Sequence, residues 1–79
     1  MEERIKLIWD FRGPDAKKIA DHHVVHLKEY AVSEGLSAPL FGVETISEMH
    51  SIAFLVVDKS EMIQTRDVLR PHRGQIFQE

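Results

Sequence analysis

Residues 51–58, SIAFLVVD, limit the fold more than any other stretch of this chain. The run is rich in β-branched and aromatic residues, is short, and is bounded by polar segments, which is the pattern of a strand. Alternate side chains of a strand point to opposite faces of its sheet. Ile52, Phe54 and Val56 then face one way, and Ala53, Leu55 and Val57 the other. Both triplets are apolar, so the strand needs cover on each side. The rest of the sequence must supply that cover.

Residues 4–11 also alternate. Ile5, Leu7, Trp9 and Phe11 share one face, and Lys6, Ile8 and Asp10 the other. The segment RGPDA breaks this strand, and Pro14 and Asp15 suit a helix start. A helix is predicted over residues 14–34, with Gly35 to end it. After the linker LSAPL, FGVETIS reads as a second strand and EMHS as a turn into the central one. Asp58 caps a second helix, Glu61 completes a capping box, and Pro71 stops the helix after Arg70. GQIFQ reads as a final short strand. The order strand, helix, strand, strand, helix, strand is the split βαβ arrangement. It predicts a single α+β domain over residues 1–79, with a four-stranded antiparallel sheet and both helices on one face. The chain thus resembles small ferredoxin-like domains, including those that pair as dimeric α/β barrels. The predicted core between helices and sheet is Trp9, Phe11, Ile19, Leu27, Phe54, Val56, Met62 and Leu69.

With both helices on one side, one apolar triplet of residues 51–58 is left on the helix-free face. A contiguous exposed apolar patch usually marks a contact. A chain of 79 residues also buries a smaller fraction of its unfolded surface than a larger domain does, so its core is thin. A homodimer stacked through the helix-free face is the expectation, and a monomer tolerating a modest patch is the rival.

Charge and composition remove several functions. There are 10 Lys and Arg against 13 Asp and Glu, a net charge of -3, which argues against a nucleic-acid binder. The chain has no cysteine, so disulfides and thiolate metal sites are excluded. No apolar stretch approaches the ~20 residues that span a bilayer. The start, MEERIKLIWDF, is acidic and then alternates, unlike a signal peptide. The expected location is cytoplasmic.

The first helix carries the most conspicuous chemistry, ADHHVVHLKEY. At about 100° per residue its inward stripe holds Ala16, Ile19, Ala20, His23, Leu27, Tyr30 and Ala31, with His23 near the centre. His22 and His26 lie one turn apart and can meet at one metal ion. A divalent ion such as zinc usually wants a third protein ligand, and His50 is the first choice, with His72 and Glu29 as others. HHVVH has the outer spacing of the zinc-protease helix, but His23 stands where that motif has its glutamate base. His23 and His26 are instead the candidates for acid or base work, since histidine titrates near neutrality. The plain alternative is a satisfied core-edge His23 with His22 and His26 solvated.

The end of the second helix, TRDVLRPHRG, gathers Arg66, Arg70, His72 and Arg73. Arg66 falls in the apolar sector of Met62, Ile63 and Leu69. It either extends outward along its stem or meets a small anionic ligand. Three functions follow. One is a domain binding a small ligand or metal near the histidine helix, with Trp9, Tyr30 and Arg66 as ligand contacts. Another is a small dimeric α/β-barrel-type enzyme using His23 or His26. The third is a regulatory or structural domain without ligand. An enzyme needs a second polar group converging on its histidine, and the sequence shows none.

Overall fold

A computed structural model describes residues 3–77. The elements are β1 (Arg4–Arg12), α1 (Ala16–Ser33), β2 (Leu40–Ser47), β3 (His50–Asp58), α2 (Lys59–Leu69) and β4 (Arg73–Phe77). Their order is the one predicted, and the ends move by a few residues. Gln78, predicted as the last residue of β4, lies outside the described residues. Gly35 ends α1 with φ +60°, a left-handed conformation that glycine adopts at low cost. Asp58 and Glu61 form the predicted capping box, the Glu61 carboxylate accepting the Asp58 N–H at 3.3 Å. Among the described residues, no helix is long and apolar enough to cross a membrane.

The four strands form one antiparallel sheet in the order β2-β3-β1-β4. β3 and β1 occupy the centre, as the two apolar faces of residues 51–58 require. Leu7 pairs with Leu55 and Trp9 with Ala53, and these four residues pack against Ala20 and Leu27 of α1. Met62 and Leu69 of α2 close the same cluster. Both helices therefore lie on the face formed by Leu7, Trp9, Ala53, Leu55 and Val57.

This register overturns part of the predicted core. Phe54 and Val56 lie on the opposite, helix-free face, where Ile8 pairs with Phe54. Alternation alone could not choose between two apolar triplets. The choice follows from β1: the broad Trp9 ring needs a small neighbour across the strand, and Ala53 provides it. Ile19 is also misplaced, since it is 47% exposed. The buried stripe of α1 is Ala16, Ala20, Leu27 and Ala31. Three alanines let the helix approach the sheet closely, and they centre the stripe away from Ile19 and His23.

The central apolar residues of the helix-free face are covered within the chain, while Leu40 at its β2 edge stays exposed. Ile8 and Ile52 are only 2% and 3% exposed, and Val56 is fully buried. Long charged side chains lie around them as three ion-paired groups. Arg4 meets Asp58 at 3.3 Å, Lys6 meets Glu44 at 2.7 Å, and Asp10 meets His50 and Arg73. Lys6 Nζ also sits 4.5 Å above the centre of the Phe54 ring. That ring crosses β2 at Gly42, where any Cβ would come within 3.2 Å of it. Aliphatic stems of charged residues thus do much of the covering, with their heads paired at the rim.

Candidate functional site

The histidines of α1 separate into two environments. His23 is half-buried against two rings of β1, with centroids 5.1 Å from Trp9 and 5.5 Å from Phe11. Its Nε2 is shut off from solvent and has no hydrogen-bond partner among the described residues. Burial first, and then the nearby His26, His72 and His22, push its pKa below the ordinary histidine value. Its surroundings therefore favour the neutral ring. The Tyr30 hydroxyl, on the same flank of α1, is likewise buried without a partner. Trp9, the third of these residues, is satisfied: its Nε1–H donates to the Leu69 carbonyl at 3.0 Å.

His22 and His26 stand outside this interior. Both are exposed, and their Nε2 atoms approach to 3.2 Å. His50, proposed from sequence as their third partner, is engaged elsewhere. It lies at the start of β3 on the helix-free face, and its Nε2–H donates to Asp10 Oδ1 at 2.8 Å. Among the described residues, no group of three or more His, Cys, Asp or Glu side chains is placed to hold a metal ion.

Asp10, which alternation places on the face away from Trp9 and so out of reach of His23, is a hub that orients a different imidazole, His50. Its carboxylate accepts from Arg73 Nε at 3.0 Å and from Arg73 Nη2 at 3.1 Å, besides His50. Its backbone N–H donates to His72 Nδ1 at 2.8 Å. The Arg73 hydrogen bonds chiefly hold the Asp10 pKa down to about 2, with help from His50 and against the effect of burial. The hub joins the ends of β1, β3 and β4. The second polar group that an acid–base histidine needs thus converges on His50, while His23 has none.

Arg66 lies apart from the histidines of α1. It points into a groove between α2 and β4, of about 430 Å³. Apolar side chains make the floor and walls: Ile5 and Leu7 of β1, Met62 of α2, Pro71 of the link and Ile76 of β4. α2 packs on β1 and β3, which leaves Ile76 56% exposed beside it. Gly74 pairs with Leu7 and has no side chain to fill the space. The polar lining comprises Arg66, His72, Arg73 and Gln75, and no carboxylate. The charge of Arg73 is committed to Asp10. Among the described residues, the Arg66 side chain meets only its chain neighbour Asp67, at 3.3 Å, with both side chains more than half exposed. A contact of that kind is cheap to exchange.

Of the residues singled out from sequence, Trp9 and His23 come together, His22 and His26 come together, and Arg66 and His50 each join a separate neighbourhood. No family model, curated protein or solved structure matches this chain.

Proposed function

We propose that this chain is a small binding domain that takes an amphipathic monoanion, an alkyl or aryl carboxylate, in the groove between α2 and β4. The carrying observation is the lining of that groove: apolar walls, a weakly engaged arginine at the rim, and no acid, in a chain that is net acidic overall. About 430 Å³ falls within the roughly 300–1,000 Å³ typical of small-molecule sites. The apolar body of the ligand rests on Ile5, Leu7 and Ile76. Its carboxylate replaces Asp67 as the partner of Arg66, and the planar guanidinium suits two parallel hydrogen bonds. We assign the fold to the ferredoxin-like class on the same footing. The support is that β3 lies between β1 and β2, and β1 between β3 and β4, so each βαβ half is split by a strand of the other.

Calorimetric titration with decanoate tests the reading. Decanoate binds the native chain, decanol binds at least tenfold more weakly, and Arg66→Gln reduces decanoate affinity by a similar factor. Equal binding of acid and alcohol, or full affinity in Arg66→Gln, would overturn the proposal.

A further inference from the structure

The exposed pair on α1 is independent of the groove. We infer that His22 and His26 form a chelate for a borderline transition-metal dication of the zinc or nickel class, with Glu29 as the outer partner that orients it. Three observations carry this. The first is convergence: the two Nε2 atoms lie 3.2 Å apart. Two nitrogens bound to one tetrahedral ion at ~2.0–2.1 Å stand roughly 3.3 Å apart. The rings therefore reach chelating distance with almost no movement. The second is the other nitrogen of His26: its Nδ1 lies 3.3 Å from Glu29 Oε1, one turn further along the helix. A metal-binding histidine commonly donates its second ring N–H to a carboxylate, which fixes the tautomer and strengthens the ligand. The third is access. Both rings lie on the exposed side of α1, whereas the Nε2 of neighbouring His23 is sealed.

Without an ion, the two facing nitrogens share one proton, His22 Nε2–H donating to His26 Nε2. On binding, that proton moves to Nδ1 of His22, and both Nε2 lone pairs turn to the ion. Water supplies the remaining positions, since His50 is held by Asp10 on the other face of the sheet. Nitrogen donors select zinc or nickel over magnesium, which prefers oxygen.

Titration of the full chain with zinc chloride and with nickel chloride at pH 7.5, followed by calorimetry, is the test. The expected result is one ion per chain, no heat with magnesium, and affinity at least tenfold lower in His22→Ala and in His26→Ala. Glu29→Gln should lower affinity severalfold while leaving the melting temperature of the metal-free chain unchanged, which a purely structural Glu29 would not do. His50→Ala should bind like the native chain. Absence of binding, retention of full affinity in His26→Ala, or loss in His50→Ala instead would overturn the assignment. The exposure of His22 and His26 keeps their variants folded, and a circular dichroism melt checks this.

Discussion

The two flanks of α2 are built for different ends. Toward α1 the flank is tied shut. Gln64 donates to Glu34 at 3.1 Å, and Glu61 accepts the Ser37 N–H at 3.0 Å. Thr65 beneath is fully buried, and among the described residues its hydroxyl, like the ring Nε2 of His23 and the hydroxyl of Tyr30, has no partner. Toward β4 the flank is open, with exposed Ile76 at its margin and Arg66 at the rim. The contrast separates two meanings of an unusual polar residue. A polar group shut inside without a partner lowers stability. A charged group beside empty apolar space can recruit a ligand. The histidine stripe is the conspicuous feature of the sequence, yet the hollow beside His22 is lined by Asp15, Lys18 and Ile19 and is more open than the groove beside the arginine.

The largest effect expected is on the covered side of the sheet. Leu55→Ala should cost about 2–5 kcal/mol, the range for deleting a large side chain from a packed core. Phe54 is only half-buried, on the other face, so Phe54→Ala should cost roughly half as much. Urea unfolding of both variants measures this. A greater loss for Phe54 would reverse the assignment of faces.

Next in size is the hub that closes the helix-free face. Asp10→Asn removes the charge that Arg73 and His50 share and should cost about 1–2 kcal/mol, as loss of a charge-assisted hydrogen bond does. The folded Asp10 pKa, about 2, is below the unfolded value, so its contribution is complete above about pH 4 and is lost as pH falls toward 2. The native chain should lose stability over that window more steeply than Asp10→Asn. Parallel acid profiles would show that Asp10 does not hold the strand ends.

The smallest effect concerns His23. Its folded pKa lies below the unfolded one, so the unfolded chain takes up the proton first, and stability falls as pH drops below about 6.5. His23→Phe keeps an aromatic ring between Trp9 and Phe11 and removes the titration. Its melting temperature should exceed that of the native chain by a few degrees at pH 5.5 and differ less at pH 7.5. An equal difference at both values would mean that charging His23 is not what weakens the fold.

Local signals in the sequence sufficed for the order of elements. Alternation marked β1 and β3, and the Asp58–Glu61 box and Pro71 bracketed α2, because each depends on residues close in sequence. The facing of β3 was hidden, since both of its triplets are apolar and only its pairing with Trp9 distinguishes them. The position of His23 was read from a stripe that gave Ile19 the weight of a core residue, whereas three alanines set the true line of contact. Asp10 and His50 are 40 residues apart and meet because Asp10 pairs with Ile52, two residues from His50 along one face. No local spacing announces such a meeting. The groove had the faintest signal of all, the glycine that opens the predicted last strand and brings no side-chain bulk. Its size depends on where α2 rests over the sheet, and that is a property of the packed chain.

Amide chemical-shift mapping with decanoate tests the central claim most directly, because it compares the open flank with the histidine helix in one spectrum. The groove account predicts the largest changes at Met62, Arg66, Gly74 and Ile76, saturating together, with the amides of His22, His23 and His26 nearly still. Changes centred on those three histidines, with Arg66 and Gly74 unmoved, would contradict it.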